Sequence, residues 1–201
     1  MTRICTRDGI ELAYESMGPE DAPPVILIMG LGAQMHVWPT SLCQRLVDAG
    51  FRVIRFDNRD TGASTSLDEH GNPSLIRVWL GRRLNRKPRV PYTLKDMSRD
   101  VVALMDELGL PSAHLVGASM GGMIAQILAA KKRKRVRSLT SIMSSASAPK
   151  VPVNQLQVML KLARRPVQRN RDEHFRYIAR MSEVIGSPGY PMSEAEIQRL
   201  A

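Results

Sequence analysis

The sequence predicts an α/β fold built on a mostly parallel sheet. The continuous apolar run PPVILIMG has the character of a strand buried on both faces, and FRVIRFD reads as a second buried strand. The stretch between them has helical spacing. A further apolar run, SAHLVGAS, leads through the glycine-bracketed GASMGG, residues 117–122, into another helical pattern. Strand, helix and strand in that order form right-handed βαβ units, which leave the strands parallel.

Residues 10–16 alternate as a short strand ahead of PPVILIMG. WPTSLCQRLVDAG repeats its apolar positions at helical spacing and stops on Gly50, and FRVIRFD follows as the second buried strand. From DNRDTGAST to Pro91 the chain is rich in Gly, Pro, Arg and Asn, which predicts a long surface excursion with a short helix over residues 75–84. Thr93 followed by Asp96 reads as a capping box opening YTLKDMSRDVVALMDELGL, an amphipathic helix stopped by Gly109 and Pro111. SAHLVGAS is the next strand, MGGMIAQILAAKKRKR the next helix, and VRSLTSIMSSA the last strand. From Pro149 strands stop, and three helical stretches follow: NQLQVMLKLARR, DEHFRYIARMSEVIG and SEAEIQRLA. The organisation is thus an α/β core over residues 1–148 and a small helical segment over residues 149–201.

With 201 residues, 43% of them hydrophobic and 24% charged, the chain can bury one real core and a small appendage. The first residues carry no signal-peptide core, and the longest apolar run, VILIMGLGA, is too short to span a bilayer, so a cytoplasmic protein without a membrane span is expected. Cys5 and Cys43 form neither a disulfide framework nor a metal spacing and read as small hydrophobes in a reducing compartment. The net charge of +10 is unevenly placed. Residues 1–130 hold 14 Lys+Arg and 14 Asp+Glu, whereas residues 131–201 hold 15 and 5. At the centre of the excess is KKRKRVR, residues 131–137, whose composition suits phosphate binding or nuclear localisation. Its position favours a different reading, the end of a helix, where cations meet free carbonyls. No aromatic residues interleave with the charges as single-stranded nucleic acid would require.

Ser119 stands in a G-x-S-x-G context where a strand gives way to a helix. Gly117 and Gly121 permit the sharp turn that exposes its hydroxyl. Acyl transfer at such a serine also needs donors for the developing oxyanion. The backbone N–H of Met120 supplies one, and the glycine-bordered turn in MGLGAQMHVW, residues 29–38, offers the N–H of Leu31 as the second.

The GLG turn, the strand ending FDNRDTG-x-S and the G-x-S-M-G-G elbow together resemble the α/β-hydrolase superfamily, in particular its bacterial esterase and lipase-like members. The resemblance covers residues 1 to about 150, and the segment ending GSPGYP is similar to the start of their helical lid. It implies a three-layer α/β-hydrolase fold acting on small apolar carboxylic esters through an acyl-enzyme at Ser119, with no cofactor and no metal. It also implies that residues 57–64 shape the wall of the site, with Arg59 and Asp60 structural. Met29 stands where the family often carries histidine.

In the family the serine is followed in sequence by an acid and then a histidine, both on loops after later strands. After Ser119 this chain has only His174, with Asp172, Glu173, Glu183, Glu194 and Glu196, and none follows a strand. Asp172 and His174, two apart on a helix, point to nearly opposite sides and cannot pair. His36, His70 and His114 precede the serine, and His36 falls just beyond the oxyanion turn, near the pocket entrance. The expectation is therefore a chain truncated within the lid and nearly inactive as written. Two other readings stay open. One is a binding module or half-enzyme whose exposed sheet edge takes a partner chain or a second copy; the other is a basic nucleic-acid-binding protein.

Overall fold

The computed structural model describes residues 2–67, 90–145, 171–187 and 189–200. The helix expected over residues 75–84, the helical stretch NQLQVMLKLARR and His70 lie outside the described residues. The chain divides into two compact units, Met1–Ser147 and Ala148–Ala201.

In the first unit the elements run β1 (Thr2–Cys5), β2 (Glu11–Met17), β3 (Pro24–Ile28), α1 (Thr40–Asp48), β4 (Arg52–Phe56), α2 (Leu94–Glu107), β5 (Ala113–Ala118), α3 (Met120–Lys131) and β6 (Val136–Ile142). They form one six-stranded sheet in the order β1-β2-β4-β3-β5-β6. β4, β3, β5 and β6 are parallel neighbours, and β1 and β2 join antiparallel at one edge. β1 was not expected. Four residues with only Ile4 buried carry too little periodicity to announce a strand.

The alternation of side chains along a strand builds two cores. Ile26, Ile28, Ile54 and Leu115 face one side, where Met97, Val101, Leu104 and Met105 of α2 and Ile124 and Leu128 of α3 close over them. Val25, Leu27 and Val53 face the other, packed with Trp38 and with Cys43 of α1. The result is a helix–sheet–helix sandwich. β4 buries two arginines among its apolar residues, and each is satisfied. Arg55 bonds Glu15 and the Trp38 carbonyl; Arg52 bonds Ser16 Oγ and the Glu20 carbonyl.

The basic cluster differs from the sequence reading. α3 ends at Lys131, Lys132 breaks the helix at φ −132°, ψ 47°, and Arg133–Arg135 form a 3₁₀ turn before β6. A longer helix would overshoot the point where β6 must begin, opposite Ala113. Arg135 instead reaches Asp106 at 2.7 Å and the Leu110 carbonyl at 2.9 Å, and Arg137 bonds Ser112 Oγ at 2.9 Å. These arginines brace the turn between α2 and β5. β6 is also shorter than the run VRSLTSIMSSA, since Met143 takes φ 41° just after Ile142.

The second unit contains α4 (Arg171–Ile185) and α5 (Glu194–Leu200), with a bridge between Ser187 and Tyr190. Ser193 donates its N–H and its hydroxyl to the Glu196 carboxylate at 2.9 and 2.7 Å, which caps α5. Among the described residues no helix is long and apolar enough to cross a membrane.

Candidate active site

The parallel register decides which loops meet. Ile28 pairs with Gly117, and Leu27 pairs with both Val116 and Arg55. The chain segments leaving β3, β5 and β4 therefore emerge side by side at the carboxyl edge of the sheet, where open α/β sheets place their ligands. Those segments are residues 29–34, the elbow at Ala118–Met120, and residues 57–64.

Ser119 adopts φ 53°, ψ −119°, a region that non-glycine residues rarely enter. Its neighbours are built to allow it. A Cβ on Gly117 would run into the Gly121 carbonyl and stand 2.5 Å from the Gly122 nitrogen. One on Gly121 would strike the Ile28 carbonyl and come within 2.8 Å of that of Met29, so the first turn of α3 rests directly on the end of β3. The Ser119 N–H donates to the Ile142 carbonyl at 2.9 Å, which ties the elbow to β6. Met120 is the first residue of α3, so its N–H has no intrahelical acceptor.

Gly30 brings the second loop onto the serine. A Cβ there would stand 3.2 Å from Ser119 Cβ and 3.3 Å from the Ala118 carbonyl oxygen. The loop turns tightly, with Ala33 N–H donating to the Gly30 carbonyl at 3.3 Å and Gly32 at φ 63°. Leu31, on the crown of the turn, leaves its side chain 70% exposed. Among the described residues neither the Leu31 nor the Met120 N–H is bonded.

Beneath that turn lie two residues that the sequence reading did not single out. Asp57, 1% exposed, accepts the Met35 N–H at 2.7 Å and the Ala63 N–H at 2.9 Å. Asn58, 2% exposed, donates Nδ2 to the Met29 carbonyl at 2.9 Å. Gly62 is forced by the same packing, since a Cβ there would overlap the Asp57 carboxylate. Arg59 makes a buried two-pronged pair with Asp100 of α2, at 2.7 and 2.6 Å, and lies 5.6 Å from the centre of the Tyr92 ring. Burial pushes the Asp100 carboxyl above its usual range against the pull of Arg59. Asp60, at φ 66°, accepts from the Leu67 N–H at 2.9 Å and the Tyr92 hydroxyl at 3.0 Å. Burial, and then the bond to Asp60, push that hydroxyl up to about 12. Arg59 and Asp60 thus spend their polar groups on Asp100, Leu67 and Tyr92. A charged residue in a run as polar as DNRDTGAS was the only signal available in the sequence, and it did not name Asp100 or Tyr92 as partners.

Neither His36 nor His114 is hydrogen-bonded to the serine. His36 is exposed on the 3₁₀ turn Met35–Val37. His114, the second residue of β5, bonds Ser138 Oγ at 2.7 Å and meets Phe51 edge-on. Five residue steps at strand spacing, about 16 Å, separate it from Ser119. Asp172 and His174 belong to α4 in the second unit. Among the described residues the Ser119 hydroxyl has no hydrogen-bond partner.

The sequence profile of the alpha/beta hydrolase fold matches residues 23–179. The chain belongs to that family. It is 32% identical over 145 residues to the rhodomycin D methylesterase of Streptomyces peucetius, covering 72% of this chain and 43% of that one. To 3-oxoadipate enol-lactonase 1 of Acinetobacter baylyi it is 27% identical over 143 residues, 71% of this chain and 45% of the lactonase. The chain therefore spans less than half the length of these two curated relatives. A crystal structure of a hydrolase from Pseudomonas aeruginosa superimposes with a TM-score of 0.64 at 24% identity, over 99% of this chain and 65% of that one. For this α/β hydrolase the fold class expected from the sequence, a mostly parallel sheet in a partial hydrolase fold, is the one observed.

Proposed function

We propose that this α/β hydrolase is a serine esterase in which Ser119 is the nucleophile. Ser119 Oγ attacks the ester carbonyl carbon, the carbonyl π pair moves to oxygen, and the N–H groups of Leu31 and Met120 hold that oxyanion. The serine proton passes to a base, the alcohol departs after protonation, and water hydrolyses the acyl-enzyme. The observation that carries the reading is the serine at φ 53° with Gly30 laid against it and, among the described residues, two unbonded N–H groups on the flanking turns. The relatives named as a methylesterase and an enol-lactonase support cleavage of a carboxylic ester or lactone. Residues 149–201 are read as the start of a lid, which favours an apolar ester. Two free cysteines suit a reducing cytoplasm.

With no base bonded to Ser119 among the described residues, this chain alone is nearly inactive. Losing the base removes several orders of magnitude of rate. Incubation with p-nitrophenyl acetate should give slow acetylation of Ser119 by mass spectrometry and negligible turnover. Absence of acetyl at Ser119 overturns the nucleophile. Rapid turnover abolished by Ser119→Ala overturns the inactivity.

A second reading rests on β6, at one edge of the sheet among the described residues, where Leu139 and Ile142 are exposed alongside Met143. An edge of that kind pairs readily with another strand, so we propose self-association through it. Sedimentation should show a dimer that Leu139→Lys dissociates; a monomer at all concentrations rejects it.

A further inference from the structure

We infer that Asp57 and Asn58 are positioning residues for the oxyanion turn: they grip the chain on either side of residues 30–34 and hold the Leu31 N–H against Ser119. The inference rests on the proposed role of Ser119 and deepens it.

The crown of the turn is exposed at Leu31, and the hydrogen bond from Ala33 to Gly30 is long at 3.3 Å. Two buried anchors reach the turn from another loop. Asn58 Nδ2 holds the carbonyl of Met29, the residue just before Gly30, and Asp57 Oδ1 holds the N–H of Met35, just after Gln34. Both bonds are buried, and the one to Asp57 is charge-assisted, so they resist competition from water. The anchors are themselves anchored. Asp57 N–H donates to the Ala13 carbonyl at 2.9 Å, its own carbonyl accepts from Ser64 Oγ at 2.6 Å, and its Oδ2 is taken by Ala63. A donor to a developing oxyanion is effective only when its position is set in advance, because reorganisation at the moment of reaction cancels its benefit. Neither residue needs to touch substrate to matter.

Phenylboronic acid tests this without requiring a base in the chain. Ser119 Oγ adds to boron, its proton goes to solvent, and the four-coordinate boron carries the negative charge, with a B–O group in the place of the ester oxyanion. Boron NMR reads both the affinity and the pH at which the four-coordinate species forms. Asn58→Leu and Asp57→Asn should each weaken boronate binding about tenfold and raise that pH midpoint by about one unit. General loosening of the fold would not shift the pH midpoint. Should Asn58→Leu fail to fold, Asp57→Asn, which keeps the shape and one acceptor, gives the same readout. Wild-type signal lost in Ser119→Ala but kept within twofold by both variants overturns this inference alone. No four-coordinate species in the wild type overturns the nucleophile and this inference with it.

Discussion

Gly30 and Ser119 lie side by side on two loops, so close that a methyl on Gly30 would sit 3.2 Å from the serine Cβ. Contacts of that length leave room only if the neighbour yields slightly. The serine is locked by the elbow, so the loop must give. Gly30→Ala should weaken phenylboronate binding several-fold while shifting stability by no more than about 1 kcal/mol, measured by titration and by urea unfolding.

The two elbow glycines have no such latitude. Added methyl groups at Gly117 or Gly121 meet backbone atoms. Either alanine variant should lose about 3 kcal/mol in urea unfolding. Gly9→Ala is the control: it has open space but φ 78°, and should cost about 1 kcal/mol.

Arg59 and Asp100 are nearly sealed from solvent, with 7% and 4% of their side chains exposed. Removing one leaves the other charged, buried and unpaired. Arg59→Met or Asp100→Leu alone should cost about 3–5 kcal/mol, and the double variant distinctly less than either. A double-mutant cycle by chemical denaturation decides it; additive losses would mean that the pair is not coupled.

Asp96 supplies the acid-side pH dependence. The hydrogen bond from the Thr93 hydroxyl at 2.6 Å holds its carboxyl below the usual value of 3.8, burial works against this, and the Thr93 N–H at 2.9 Å adds to the lowering. A depressed acid stabilises the fold above the unfolded value and loses that contribution as pH falls through the folded one. The stability gap between wild type and Asp96→Asn should therefore close as pH drops from about 5 to about 2. A gap independent of pH would show that the carboxylate charge contributes nothing.

What is local in the fold was legible in the sequence. PVILI was legible because a strand buried on both faces is apolar throughout, RVIRF because it follows a helical stretch that stops on Gly50, and Thr93 with Asp96 because a capping box lies within four residues. The elbow was legible because G-x-S-x-G sat between a strand and a helix. The supports were not. Asp57 meets Met35 across 22 residues, Asn58 meets Met29 across 29, and Arg59 meets Asp100 across 41. Those pairings exist only once the register of β3, β4 and β5 is set. The basic run after α3 misled for the opposite reason: its composition suited a helix end, while the demand that β6 start beside Ala113 cut the helix short.

The grip of residues 57 and 58 on the turn at 30–34 makes two distant stretches of sequence a single heritable part. A change in one alters the fit of the other, so the two are expected to vary together among related chains. Transplanting the GLG turn into another scaffold would carry its residues but not its shape, unless the DNRDTGAS loop travelled with it.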